Sequence, residues 1–507
     1  MSYDYPTAAS ALSDHPTFTH QSVSKDGTDS NLSIWTHAVT KSGGLVSTYT
    51  ITDPTQTSTT TNLFTSGWQT GLVSSVVTKN SSGTTLRTVT NDWTIDSDFV
   101  SNVRILRVTT SLNDVSPALQ SKVEFSYTSY GNVSEVREYD FGLVLVRKTQ
   151  TDYLTATAYT DRHILDRPTQ VRVYDGSGAL KAKTVFAYDT TELQLVTPVQ
   201  WMDLGTTARG NLTSITRYAT PQSDGGPQTR TFDFDSAGNV RRGDVDCCQS
   251  EEWTYTATTQ FAYLETTKHG PATGIQLTSS QTYDFSTGLV TSVTDFNGKT
   301  TTFEYDVMNR VWRVTRPDGV SATTDYDDAS LSPVVTSTMP IDPGRNLVRV
   351  VTADGLGRTV KVEVKDGASN TYSIVETQYD DVGRVKKASN PYAPGQTPVW
   401  TETQYDALGR PTKVIPPDGS PSSNHTAFTY SGNKVTITDP ARQAQRLLLV
   451  AHLQGFAHLL HHLRAFAADL HRRFDQPTAS VLTVSNWIPR VHGPLSHKYV
   501  EHSGRCI

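Results

Sequence analysis

Short runs of alternating apolar and polar side chains recur along this chain. In residues 401–406, for example, the threonines and Tyr405 fall on one parity, and the acidic and amide side chains fall on the other. A period of two residues is that of a β-strand, in which successive side chains point to opposite faces. The pattern therefore predicts many short strands, each with one less polar face.

Several of these strands place two aromatic residues at positions i and i+2. Phe303 and Tyr305 form such a pair, and two rings on one side of a strand can cover a sheet face and remove a large apolar area from water. Further pairs are Phe232/Phe234, Phe125/Tyr127 and Phe428/Tyr430.

An aspartate followed three residues later by glycine marks the end of the best-defined strands. The short carboxylate can accept a hydrogen bond from a backbone N–H two residues ahead and so start a turn. Glycine suits a positive φ where a hairpin loop rejoins its strand. One copy has Asn309 instead of glycine, and asparagine is the next most tolerant residue in that left-handed region, which favours a turn over a ligand site.

An arginine follows directly, and its guanidinium is predicted to reach the aspartate across the turn. The return strand then runs to a second turn of the Pro-Asp-Gly type, as at 317–319 and 417–419, so one unit contains two strands and two turns. The predicted structural motif comprises Tyr305, Asp306, Asn309, Arg310, Asp354, Gly357, Arg358, Tyr379, Asp380, Gly383, Arg384, Tyr405, Asp406, Gly409 and Arg410.

The spacing of the motif is nearly regular. From Tyr283 to Tyr430 successive copies are 21 to 27 residues apart, with Ala353 in the tyrosine position of one copy. Such spacing is typical of a repeat architecture in which neighbouring units cover each other's apolar surface. Weaker copies begin near residues 125, 174 and 232, which predicts an all-β chain of repeated hairpins.

The Tyr-Asp, x-x-Gly-Arg and Pro-Asp-Gly elements resemble the Rhs or YD repeats of bacterial polymorphic toxins, of the C component of insecticidal toxin complexes and of teneurins. The resemblance is strong from about 280 to 440, fair from about 120 to 280 and weak before that. It implies a long sheet of hairpins that spirals into a hollow shell, which in the toxins encloses a C-terminal effector. It also implies a secreted or cell-surface location, although the N-terminus shows no standard signal peptide.

Composition divides the chain into three predicted regions. Residues 1–120 form a Thr/Ser-rich β segment, interpreted as degenerate repeats; residues 121–440 are the repeat region; and residues 441–507 are a tail rich in His, Leu and Arg. The tail fits three interpretations: a variable effector domain, a helix that packs on the shell, or out-of-frame translation. We favour out-of-frame translation, because the composition changes at this point without a linker. A helical or disordered tail is expected in either of the last two cases.

Net charge and hydropathy exclude some partners. A formal charge of −6 gives no electrostatic reason to expect nucleic acid, and no run of eighteen apolar residues predicts a membrane span. The expected partners are an enclosed effector or the rest of an Rhs-type protein. The alternatives are glycans or a partner cell surface bound by an adhesin, and a gene remnant without activity.

Candidate chemistry is sparse. His452, His458, His461 and His462 have helical spacing for a metal site, but no carboxylate or cysteine stands at ligand spacing beside them. Cys247 and Cys248 lack the two-residue spacer of a redox pair, and each Asp turn offers too few oxygens for calcium. We therefore expect no catalytic residue, no metal and no cofactor.

Overall fold

A computed structural model of the chain describes residues 2–4, 19–24, 32–95, 102–199, 208–245, 249–271, 274–342, 344–367, 370–441 and 444–448. The predicted tail from residue 441 lies almost entirely outside these ranges, as do the four histidines of the candidate metal site and the Cys247-Cys248 pair. The interpretations of those residues stay predictions.

The first half of the described chain consists of strands joined by short loops. These strands are β1 Ser2–Asp4, β2 His20–Ser24, β3 Leu32–Ser42, β4 Leu45–Thr52, β5 Ser58–Leu63, β6 Val73–Lys79, β7 Thr85–Ile95, β8 Val103–Leu112, β9 Leu119–Tyr127, β10 Val133–Tyr139, β11 Leu145–Tyr153, β12 Pro168–Asp175, β13 Leu180–Tyr188, β14 Leu212–Thr220, β15 Gly225–Phe234 and β16 Val240–Val245.

The second half continues in the same way. Its strands are β17 Gln249–Thr254, β18 Thr266–His269, β19 Leu277–Tyr283, β20 Val290–Thr294, β21 Thr300–Tyr305, β22 Val311–Thr315, β23 Ser321–Asp327, β24 Val334–Asp342, β25 Arg345–Ala353, β26 Thr359–Asp366, β27 Asn370–Tyr379, β28 Val385–Ser389, β29 Trp400–Tyr405, β30 Pro411–Ile415, β31 Thr426–Ser431, β32 Lys434–Thr438 and β33 Ala444–Leu448. One short helix, α1 Thr157–Thr160, and a 3-10 turn at Ala257–Thr259 lie in loops.

Every strand from β1 to β31 pairs antiparallel with the next strand in the sequence, and β31–β32 is the last pair of this series. The pairing is continuous across the start of the recognisable repeats, because β9 pairs with β8 on one side and with β10 on the other. It is also continuous from β21 through β32. The prediction of an all-β ribbon of repeated hairpins is confirmed.

The ribbon is one layer of strands, and its two faces differ in polarity. Phe303 pairs with Val314, which pairs with Ala322, so these three half-buried side chains share one face. Glu304 pairs with Arg313 on the other face, where a 3.1 Å ion pair joins their side chains. One face is thus an aliphatic and aromatic ladder, and the other is charged.

Two edges bound the ribbon. One edge, which we call the motif edge, is formed by the loops that follow odd-numbered strands. Examples are the loops 284–289, 306–310, 354–358, 380–384 and 406–410. The loops that follow even-numbered strands, such as 113–118, 140–144, 270–276, 295–299 and 316–320, form the far edge.

The motif edge of β29–β32 contacts the far edge of β8–β11, which lies about three hundred residues earlier in the chain. Arg410 Nη2 donates to Asp114 Oδ2 at 2.5 Å, across 296 positions of sequence. In the next motif-edge loop, a Cβ on Gly432 would lie only 3.0 Å from Leu119 Cδ1 and from Phe141 Cβ. We call this contact the seam, and it shows that the ribbon curves back onto itself.

Candidate functional site

The turn after β21 shows how the Tyr-Asp sequence shapes the motif edge. The Asp306 carboxylate accepts the backbone N–H groups of Met308 and Arg310, both at 2.9 Å. The Asn309 N–H donates to the Asp306 carbonyl at 3.0 Å, and Asn309 has φ +62°. A tight turn closed by a left-handed residue, beside a register shift between Glu304 and Tyr305, is a bulged hairpin loop.

Three further copies have the same geometry. The carboxylates of Asp354, Asp380 and Asp406 each accept the N–H of the arginine four residues ahead, at 3.0, 2.8 and 2.9 Å. The glycines at the asparagine position have φ values of +76°, +91° and +79° at Gly357, Gly383 and Gly409. Since the backbone conformation is the same with asparagine or glycine, the turn depends on φ and not on the side chain.

The arginine of each motif binds the aspartate of its own turn. The Nε–Oδ2 distance is 2.8 Å from Arg310 to Asp306, and 2.8, 2.6 and 2.7 Å in the copies of Arg358, Arg384 and Arg410. The ion-pair contact that the spacing predicts is therefore present in all four copies. It places a planar cation at the point where the return strand begins.

These contacts perturb the ionisation of the acids. The pKa of Asp306 is lowered, first by the backbone N–H of Arg310 and then, after an opposing effect of burial, by the Arg310 side chain. Burial tends to raise the pKa of Asp354, but the hydrogen bonds from Arg358 and Leu356 prevail and lower it. Both acids are held as carboxylates that serve the turn.

Each arginine also reaches the following repeat. The guanidinium carbon of Arg310 lies 4.0 Å from the ring centroid of Tyr326, and the corresponding distances are 4.4 Å for Arg358 on Tyr379, 4.6 Å for Arg384 on Tyr405 and 4.5 Å for Arg410 on Tyr430. A cation over an aromatic face is attracted by the ring quadrupole. The arginine therefore joins two units, a contact that sequence reasoning missed.

The tyrosine hydroxyls complete the link. Tyr326 donates to the carbonyl of Val311, the residue that directly follows the Arg310 of the preceding unit, at 2.9 Å. The same bond is made by Tyr305 to Val290, Tyr379 to Thr359, Tyr405 to Val385 and Tyr430 to Pro411, at 2.7 to 3.0 Å. Burial raises the pKa of Tyr430 to about 12, so its phenol stays protonated.

We call this chain of turn aspartates, arginines and tyrosines along the motif edge the spine. Its tyrosine bonds continue upstream of the four clear motifs. Tyr127, Tyr153 and Tyr188 donate to the carbonyls of Ile105, Val133 and Pro168 at 2.6 to 2.9 Å. Trp93 takes the same place with its indole N–H, which donates to Val73 at 2.8 Å. The only sequence signal for these bonds was an aromatic residue near the end of a strand. That signal is incomplete, because the copy with Ala353 lacks the ring.

The motif edge also carries one compact polar cluster outside the four clear motifs. Ser236 is only 1% exposed, and its hydroxyl joins the backbone N–H and carbonyl of Val196 at 2.9 and 3.0 Å. Asp235, also 1% exposed, accepts from the backbone and side chain of Asn239. Both buried side chains therefore have partners, and the Ser236 bonds to Val196 fasten the 189–199 loop to the β15–β16 turn.

The far-edge turns follow similar rules with other residues. In the Pro-Asp-Gly turn at 316–320, the Gly319 N–H donates to Arg316 at 2.9 Å, and Asp318 accepts from the Val320 N–H at 3.0 Å. In the 416–425 loop the Gly419 N–H donates to Pro416 at 2.9 Å. These two far-edge turns are therefore closed by local hydrogen bonds.

Within the described ranges, no group of three or more His, Cys, Asp or Glu side chains converges as a metal site. Nor is any helix of the described residues long and apolar enough to cross a membrane.

Known proteins resemble the chain in part. Residues 283–329, which include β20 to β23, match the family model described as RHS Repeat. No curated protein matches the chain. Two of the solved structures that resemble the chain are toxin assemblies. The first is a complex of TcdB2, TccC3 and Cdc42, with 13% identity over 83% of this chain and a TM-score of 0.25. The second is a Tc holotoxin pore of Photorhabdus luminescens, with 10% identity over 84% of this chain and a TM-score of 0.22. The chain spans 24% and 32% of the lengths of those two chains.

Proposed function

We propose that the chain is an Rhs-type structural repeat protein whose ribbon is part of the wall of a shell that encloses a C-terminal toxin or effector polypeptide. The resemblance of the repeats to the shells of polymorphic toxins supports the proposal. The single observation that carries it is the seam. A flat ribbon cannot bring Arg410 to Asp114, whereas a ribbon that curls through one turn of a spiral can.

The polarity of the two faces supports the same function. Val335, Val351, Val362 and Val375 pair in series across four strands, and all four are half-buried in a single-layer sheet. We propose that this aliphatic face lies on the inner side of the curve, where it would need to be covered. An enclosed polypeptide would supply that cover.

The spine has a mechanical task in this proposal and no catalytic one. Its acids, arginines and phenols are engaged with each other or with the backbone, so they fix the turn shape and tie each hairpin to the next. We propose residues 121–440 as the repeat wall and residues 1–120 as its more degenerate beginning, on composition. Secretion or cell-surface display is proposed from the family resemblance, and glycan or cell binding stays a prediction.

Protease protection of a fused reporter tests the proposal. The full chain is joined at its C-terminus to a small, protease-sensitive reporter and compared with the reporter alone. We expect the reporter to be digested at least about tenfold more slowly in the fusion, because a closed wall excludes the protease. Equal digestion of the fusion and of the free reporter would overturn enclosure.

The seam provides a matched pair of variants for this experiment. Arg410→Ala removes the contact with Asp114, whereas Arg310→Ala removes the equivalent arginine of a turn outside the seam. Protection should fall in the first variant and persist in the second. Small-angle X-ray scattering should show a matching increase in the radius of gyration for Arg410→Ala alone.

A further inference from the structure

The residue before the glycine or asparagine of each motif turn is apolar, and its exposure varies along the ribbon. Met308 is 70% exposed, Leu356 is 42% exposed, and Val382 and Leu408 are half-buried. These positions have the same local turn structure. The difference in exposure must therefore come from what lies beyond the turn.

The turn of the last of them lies in the seam. The turn that contains Leu408 is held by Arg410 against Asp114, in the far-edge loop between β8 and β9. The next motif-edge loop, at Gly432, lies against Leu119 and Phe141, which flank the following stretch of far edge. Two successive motif-edge loops thus meet two successive far-edge segments in the same order, which indicates one repeating mode of docking.

Upstream on the motif edge, the corresponding surface is bare. Phe285, Val307 and Met308 are 55%, 98% and 70% exposed, and they lie in neighbouring loops after β19 and β21. We call these three residues the tip patch. Clustered exposed apolar side chains on a protein surface mark an interaction site.

The far edge carries matching apolar residues where no seam covers it. Ile275 and Phe296 are 85% and 58% exposed in the loops before β19 and before β21. In the seam, by contrast, the far-edge residues Leu119 and Phe141 are half-buried. The chain therefore exposes both kinds of surface that meet in the seam, namely apolar residues on the motif edge and apolar residues on the far edge.

We propose that the tip patch binds the far edge of a second copy of this chain, with Ile275 and Phe296 taking the places that Leu119 and Phe141 have in the seam. The contact is head-to-tail, because the two surfaces are different parts of the same chain, so it can extend beyond a dimer. It depends on the docking mode of the seam and not on whether the shell encloses a cargo.

Sedimentation of the full chain over a range of concentrations tests the proposal. The wild-type chain should associate reversibly, and Met308→Glu should weaken that association at least about tenfold, because a charge would be buried against apolar residues. Ile275→Glu should have the same effect from the other side. Val199→Glu is the control, since Val199 is 72% exposed on the motif edge but lies outside the tip patch.

Mixing the two variants separates docking from general changes in solubility or folding. Met308→Glu retains an intact far edge and Ile275→Glu retains an intact tip patch, so an equimolar mixture should form one-to-one complexes that neither variant forms alone. A mixture that stays monomeric would overturn the proposal, as would a wild-type chain that is monomeric at every concentration. In the latter case, RHS hairpins of a longer polypeptide would be the better occupant of the patch.

Discussion

The turn at 406–410 and the turn at 306–310 have almost the same local geometry and very different surroundings. In both, the aspartate accepts the arginine N–H at 2.9 Å, and the Nε–Oδ2 distances are 2.7 and 2.8 Å. However, the Arg410 side chain is 11% exposed and bridges to Asp114, whereas that of Arg310 is 33% exposed and reaches the exposed Asp328. The motif thus sets the shape of the turn, and its position on the spiral sets the energy of its contacts.

The ionisation of Arg410 shows how the position of a turn determines the energy of its contacts. Burial disfavours its charge, but the carboxylates of Asp406 and Asp114 outweigh that effect and raise its pKa. An ion pair taken out of water is stable only while both partners remain, because the survivor would be a buried charge without compensation. The seam copy of the motif should therefore be far more sensitive to substitution than the open copy.

The largest expected effect is that of Arg410→Ala. It leaves two carboxylates without their cation and removes the stacking on Tyr430, so the free energy of unfolding should fall by about 3–5 kcal/mol. Arg310→Ala should cost much less, because the Arg310 side chain is 33% exposed and its second partner, Asp328, is 57% exposed. Urea unfolding of the two variants measures the difference, and equal losses would show that the seam adds nothing to the turn.

The second largest effect should be that of alkaline pH, which should weaken the hydrogen bond of the Tyr430 hydroxyl to the Pro411 carbonyl. The pKa of Tyr430 is raised to about 12 from its ordinary value of 10, so its contribution is complete below pH 10 and is lost as the pH rises from 10 to 12. Two pKa units correspond to about 3 kcal/mol. Tyr430→Phe should flatten the pH dependence of the urea midpoint over that range, and an unchanged slope would contradict the assignment.

Asp114→Ala should have an intermediate effect. Arg410 keeps its bond to Asp406, so the loss should be about 2 kcal/mol, the value of one charged hydrogen bond. A double-mutant cycle with Arg410→Ala isolates that bond from the rest of the turn. Additive losses would mean that the two side chains do not interact in solution.

Gly409→Ala should give the smallest loss, about 1–2 kcal/mol, because it forces an L side chain to φ +79°. No atom lies closer than 4.0 Å to the added methyl carbon, so steric overlap contributes little. Asn309→Gly should cause no comparable loss at the open turn, where φ is +62°. Thermal unfolding of both variants would show whether the backbone requirement is the same inside and outside the seam.

Sequence reasoning predicted the local parts of this molecule well. Strand periodicity, the Asp-to-backbone turn and the ion pair within each motif all involve residues at most a few positions apart, so their spacing determines their geometry. The RHS match over residues 283–329 agrees with the motifs that carried the resemblance.

The contacts that sequence reasoning missed are those between units. The arginine that stacks on the next tyrosine was not predicted, because that ring follows after a variable number of residues, 16 from Arg310 to Tyr326 and 21 from Arg358 to Tyr379. Asp114 carries no motif, and its distance in sequence from Arg410 depends on the curvature of the whole ribbon. Trp93 was missed because a tryptophan, which is not part of the Tyr-Asp motif, takes the position of the tyrosine.

The strictly sequential pairing of β1 to β32 has a consequence for biosynthesis. Each strand needs only the strand made just before it, so the ribbon can grow one hairpin at a time as the polypeptide leaves the ribosome. The seam is the exception, because its contact between Asp114 and Arg410 can form only after the 296 residues that follow Asp114 have been synthesised. The strands from β9 to β28 can therefore all be paired before the seam closes.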